Sequence, residues 1–185
     1  MSRRIALLGL SGVGKTTMLS RLASRIEFTH LEASRLIKAE QVRRSIGSQS
    51  SEVLRTGPVL DNQNLLIAGF AHEAASTHRP IVFDGHSVID GGNGLIEIPA
   101  EVFASLDLQA ICVLHAEPAD ILARRLSDGA RLRPVRTIEA LAEHQARAIE
   151  VARAIAKQLN QPFELLRNED EAKLAVLIRG VAGAR

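Results

Sequence analysis

Tryptophan and tyrosine are absent from the 185 residues, and Phe28, Phe70, Phe83, Phe103 and Phe163 fall mainly in apolar segments. No aromatic platform for stacking RNA bases is legible. Cysteine is nearly absent too: Cys112 stands alone, which rules out a disulfide framework within the chain and, in its apolar run, reads as a buried strand thiol. Charge of one sign is not in excess. Lys plus Arg number 23 against 21 for Asp plus Glu, with no long basic block, which argues against nucleic acid as the main partner. No stretch nears the roughly 20 apolar residues of a membrane span. Arg3 and Arg4 precede an apolar run of only about five residues, short of a secretory signal core, so a cytoplasmic location is expected. Without a repeat, low-complexity tract or linker, residues 1–185 read as one domain.

What is present is an alternation of short apolar runs and helical patterns. Residues 5–8 form an apolar run closed by glycine, the pattern of a strand buried on both faces. Met18, Leu19, Leu22 and Ile26 then recur at helical spacing over 14–26. Helices are expected over 33–46, with Leu36, Ile37 and Val42 inward, and over 60–75, with Leu65, Leu66 and Phe70 inward. Residues 81–83 form a second buried strand, and 87–90 with 95–98 flank a glycine-rich turn as a short hairpin. A brief helix over 99–106 leads to a strand over 110–115 and a helix over 118–126, with proline in its first turn. Residues 127–137 break the pattern as an exposed loop. A helix over 138–159 carries Ile138, Leu141, Ile149 and Ile155 along one side, followed by a strand at 163–166 and a helix at 169–178. Such alternation implies an α/β fold with a parallel sheet covered on both faces.

Gly9-Leu10-Ser11-Gly12-Val13-Gly14-Lys15-Thr16 satisfies G-x-x-x-x-G-K-[ST] in full, between an expected strand and an expected helix. The glycines permit positive φ and let the backbone approach phosphates. The N–H groups of Gly12, Val13, Gly14 and Lys15 are expected to face the anion at the positive end of the following helix. Lys15 would reach the β- and γ-phosphates of ATP, and the Thr16 hydroxyl would ligate Mg²⁺. Asp84, at the C-terminal end of its strand, is the candidate for a second oxygen near the metal. His86 follows at the same edge, a candidate to orient an acceptor or a water, with a histidine hydrogen-bonded for structural reasons as the alternative. Asp90-Gly91-Gly92-Asn93 lacks the offset glutamate of a calcium loop.

Five arginines, Arg124, Arg125, Arg131, Arg133 and Arg136, crowd into thirteen residues. Phosphoryl transfer is chiefly positioning and charge stabilisation, for which the planar guanidinium fork is suited. No Asn-Lys-x-Asp segment for reading guanine occurs; Asp61-Asn62-Gln63-Asn64 reads as the polar start of a helix.

In this order of parts the chain resembles the adenylate kinase-like nucleoside monophosphate kinases, in particular their compact archaeal-type branch. The likeness rests on the phosphate loop continued by Thr17, on Ile81-Val82-Phe83-Asp84-Gly85-His86-Ser87, and on Glu117 to Arg125 followed by Asp128, Arg131 and Arg133. It implies a three-layer P-loop fold with a five-stranded parallel sheet, an acceptor region near 30–75 and a short lid near 127–137. It further implies ATP and Mg²⁺ binding by Gly12, Val13, Gly14, Lys15, Thr16 and Thr17, catalysis by Lys15, Arg125, Arg131 and Arg133, and metal contacts from Thr16 and Asp84. A nucleotide acceptor, AMP foremost, would be held by Ser34, Lys38 and His86. Lys38 stands where the family usually has arginine, with Arg35 or Arg43 as substitutes, and the hairpin lacks the family's fuller Gly-Tyr-x-Pro-Gly pattern. A kinase of another small metabolite, or a regulatory P-loop ATPase acting on RNA or a protein, are the alternatives. The oligomeric state is left open.

Overall fold

The computed structural model describes residues 2–45, 61–91, 94–128 and 134–180. Its strands are β1 (Arg4–Leu8), β2 (Thr29–Glu32), β3 (Ile81–Asp84), β4 (Val88–Gly91), β5 (Gly94–Glu97), β6 (Ala110–Leu114) and β7 (Phe163–Leu166). Its helices are α1 (Lys15–Ala23), α2 (Ala33–Arg43), α3 (Asp61–Ala75), α4 (Ala100–Ser105), α5 (Pro118–Ser127), α6 (Ile138–Gln158) and α7 (Glu171–Arg179).

The apolar runs become the middle of the sheet. Among the described residues, five parallel strands lie in the order β2-β3-β1-β6-β7, and β4 pairs antiparallel with β5 apart from them. Successive strand residues point to opposite faces. Since every residue of β3 and β6, and Ile5 to Leu8 of β1, is buried, both faces must be covered. The coverage comes from α1 packed on α7 and from the succession α3, α4 and α6. Phe70 of α3 meets Phe83 of β3 edge-on, ring centroids 5.9 Å apart. Gly69 lets α2 and α3 approach so closely that a Cβ there would sit 2.8 Å from the Leu36 carbonyl oxygen.

Several expectations need correction. β2 was not expected from the pattern: in Thr-His-Leu-Glu only Leu31 is buried, because this edge strand pairs with β3 alone. Val42 is 66% exposed, and α2 turns Glu40 and Gln41 inward instead, since Arg43 and Arg44 both pair with Glu40. Ile138 is 44% exposed at the start of α6, so the buried side of this helix begins only at Leu141. Arg124 and Arg125 lie on α5, within the helix expected over 118–126. Arg131 and Arg133, the middle of the expected lid, lie outside the described residues, as do 46–60 of the expected acceptor region.

Strand order decides where a ligand can sit. β1 leads toward β2 and β3, whereas its other neighbour, β6, leads outward to β7. Ligands in open α/β sheets sit beyond the carboxyl ends of the strands at such a switch point.

Candidate active site

The segment after β1 takes the shape that its glycines allow. Gly9, Gly12 and Gly14 have φ of 146°, 89° and 112°, and Gly14 caps α1 without any side-chain hydrogen bond. A Cβ on Gly9 would lie 2.5 Å from the Leu114 carbonyl oxygen, and one on Gly14 2.6 Å from Asn168 Oδ1. The loop is therefore pressed against β6 on one side and the segment after β7 on the other. Of its N–H groups, that of Val13 donates to the Leu10 carbonyl at 3.2 Å and does not match the expected outward set.

Side chains fasten the loop from several directions. Lys15 Nζ donates to the Gly9 carbonyl at 2.9 Å, and His86 Nδ1 donates to the same oxygen at 2.6 Å. From α5, Arg124 Nη1 donates to the Val13 carbonyl at 2.9 Å and Arg125 Nε to the Ser11 carbonyl at 2.9 Å. Asn168 Nδ2 reaches the Val13 carbonyl at 3.3 Å.

Asp84 lies 3.5 Å from Lys15 Nζ and accepts from His30 Nε2 at 3.2 Å, with its side chain and that of Lys15 each 7% exposed. Burial alone would raise its pKa. The Lys15 charge, the His30 hydrogen bond and the charge of His86 outweigh burial and hold the carboxyl below the ordinary aspartate range. Asp84 is thus an ionised carboxylate at the bottom of a cleft.

That cleft has a volume of about 480 Å³ and is lined by Leu10 to Gly12, Gly14 to Thr17, Glu32 to Ser34, Asp84, His86, Arg124 and Asp128. Every lining residue either ends a sheet strand, as Glu32 and Asp84 do, or belongs to the connection after one. A phosphate group fits the positive-φ cradle beside Lys15 at the start of α1. Mg²⁺ fits as well: the Thr16 hydroxyl and the Asp84 carboxylate offer hard oxygen donors toward the same space, and this ion normally shares its shell with phosphate and water. Among the described residues no group of three or more His, Cys, Asp or Glu is gathered to hold a metal unaided.

The expected acceptor residues part company. Ser34 lines the cleft, but Lys38 on α2 does not, and His86 is engaged with the phosphate loop. Arg35 is directed to Glu32 at 3.2 Å and Arg43 to Glu40. His30, Glu32 and Asn168 were missed as site residues. His30 and Glu32 sat in a strand too short to be recognised, and Asn168 had no motif around it, its place being fixed only by β7 lying beside β6.

Among the described residues, no helix is long and apolar enough to cross a membrane. The family model described as "AAA domain" matches residues 8–142. An adenylate kinase of Thermococcus kodakarensis is 28% identical over 173 residues, covering 92% of this chain and 88% of that protein. One from Methanoculleus marisnigri is 24% identical over 92% of each chain. In fold the chain is similar to shikimate kinase from Acinetobacter baumannii (TM-score 0.58, 15% identity, 97% of this chain and 94% of that one). It is also similar to a gluconokinase from Sinorhizobium meliloti (TM-score 0.52, 17% identity, 96% and 90%). With a phosphate loop closed by Lys15 and an ionised Asp84 facing one cleft, the chain belongs to the AAA-domain family of P-loop proteins and is an adenylate kinase-like, ATP-dependent kinase of a nucleotide or small metabolite.

Proposed function

We propose that this kinase moves the γ-phosphoryl of ATP to the phosphate of a nucleoside monophosphate, AMP foremost. The observation that carries the reading is that one cleft is lined both by the phosphate loop and by the junction of β2 with α2, Glu32 to Ser34. Two phosphate-bearing ligands can meet there end to end. The loop backbone and the N-terminus of α1 bind and orient the donor phosphates. Lys15, fixed by Gly9 and Asp84, presents its ammonium at a set place, so little reorganisation is needed when negative charge spreads over the transferred group. Thr16 and Asp84 would hold Mg²⁺, which supplies charge neutralisation on the phosphates when bound. Arg131 and Arg133 would stabilise charge on the phosphoryl oxygens, whereas Arg125, expected to share that role, does not line the cleft and instead holds the loop at the Ser11 carbonyl; exclusion of water favours transfer over hydrolysis. ATP supply makes the cytoplasm the compartment that suits this chemistry.

A coupled assay with AMP, CMP, UMP, GMP and deoxynucleotides should give ATP-dependent diphosphate formation, fastest with AMP. No diphosphate with any of them overturns the reading. Lys15→Ala should abolish turnover while the far-ultraviolet circular dichroism is unchanged. Arg131→Ala and Arg133→Ala should each lower kcat by about 10²–10³-fold, roughly 3–4 kcal/mol, with a much smaller effect on ATP affinity.

Glu32 favours a second reading, in which the acceptor is a hydroxyl of a small metabolite. Its carboxylate lines the acceptor end of the cleft, accepts from Ser34 Oγ at 2.5 Å and would repel an acceptor phosphate while receiving hydrogen bonds from hydroxyls. ADP release dependent on a polyol or hydroxy acid, and not on any monophosphate, would select it. A regulatory ATPase would instead hydrolyse ATP without an acceptor.

A further inference from the structure

The described residues hold one buried ionic cluster outside the cleft that touches three parts of the fold at once. Asp90 lies on β4 with its side chain only 9% exposed. Its Oδ1 accepts from Arg136 Nη2 at 2.9 Å and Nε at 3.3 Å. Its Oδ2, buried and without a hydrogen bond among the described residues, lies 3.7 Å from Arg125 Nη1 and 3.7 Å from His144 Nδ1. Arg125, itself 8% exposed, turns its Nε to the Ser11 carbonyl in the phosphate loop. One carboxylate therefore faces a guanidinium from α5, another from the segment before α6 and an imidazole of α6.

We infer that Asp90 is a positioning residue: its carboxylate fixes the Arg125 guanidinium so that Nε secures Ser11 and, through it, the phosphate-binding loop. The physical reason is electrostatic. A guanidinium buried to this degree needs a counter-charge, and the carboxylate 3.7 Å from Nη1 supplies one while Nε–H is bonded to Ser11. The hairpin carries this carboxylate because Ser87 Oγ donates to the Ala148 carbonyl of α6 at 2.8 Å and ties the base of β4 to the helix. Arg136 holds the other oxygen of the same carboxylate by hydrogen bonds at 2.9 and 3.3 Å, which fixes Asp90 beside Arg125.

The inference rests on the cleft being a nucleotide site and not on the identity of the acceptor, so its test needs no acceptor. ADP affinity is measured by calorimetry with magnesium for wild type, Asp90→Asn, Arg125→Gln and the double variant, alongside unfolding midpoints. Each single change should weaken ADP about tenfold, and the double variant should also sit near tenfold, because the two act through one contact. Asp90→Glu should recover part of the loss. A double variant weakened by the product of the single effects overturns the inference, as does Asp90→Asn binding ADP within about twofold of wild type. Should Asp90→Asn fail to fold, the same cycle with Asp90→Glu decides: multiplicative effects there also overturn it. Wild type that binds no ADP at all would instead remove the nucleotide reading itself, and the inference falls with it.

Discussion

Single residues show what the phosphate loop demands of its backbone. Gly9 and Gly14 both adopt φ values that L side chains rarely take, yet their surroundings differ. The atom facing Gly9 is the backbone carbonyl of Leu114 in the central sheet, whereas Gly14 faces the terminal amide of Asn168, which can rotate. Gly9→Ala should therefore cost more stability than Gly14→Ala, with about 1–3 kcal/mol from backbone strain in each and the steric term added only for Gly9. Urea denaturation of the two variants checks the order, and equal losses would mean that Asn168 is held as rigidly as the sheet. Most of this loop was legible in its eight residues, since the glycine spacing announces the conformation. The partners that hold it were not. Arg124, Arg125 and His86 reach its carbonyls from 77 to 114 residues away in the chain, a relation that no local pattern contains.

Elements show where periodicity misleads. On α2 the apolar spacing expects Val42 inward, but the helix buries Glu40 between the guanidinium groups of Arg44 and Arg43. The hydrogen bond from Arg44 is the largest influence on this carboxyl; burial opposes it, and the net effect is a pKa below the ordinary glutamate range. A folded-state pKa lower than the unfolded one contributes stability above the unfolded value, which is lost as pH falls through the folded value. Glu40→Gln should accordingly be less stable than wild type at neutral pH, with the gap closing in acid below about pH 4. Denaturation midpoints measured from pH 7 to pH 3 test this, and a gap that stays constant would assign Glu40 no role as an anion. The strongly apolar strands and the long α6 were readable from sequence because burial on both faces or along one stripe leaves a clear mark. β2 was not readable because an edge strand with one buried residue leaves almost none. The part of the cleft lined by Glu32 to Ser34, which begins at that strand, was blurred for the same reason.

At the scale of the whole molecule, the lone thiol reports on the integrity of the sheet. Cys112 lies in β6 between β1 and β7, and burial, with Glu164 adding to it, pushes its pKa up to about 12. A thiol reagent at pH 8 should leave the native protein untouched and react only as it unfolds. ATP with magnesium at about a hundred times its dissociation constant should slow that reaction roughly a hundredfold, the equivalent of about 2.7 kcal/mol of ligand stabilisation. Rapid native labelling would show that β6 opens without global unfolding. The strand order also has a consequence for how the chain is made. β1 precedes every other strand in sequence, yet it sits in the middle of the sheet, and the segments that flank it, 81–84 and 110–114, are synthesised much later. During translation its apolar face and unpaired amides must wait for more than a hundred residues to emerge, a window in which chaperone capture is to be expected and in which slowing the ribosome before codon 110 would favour misassembly.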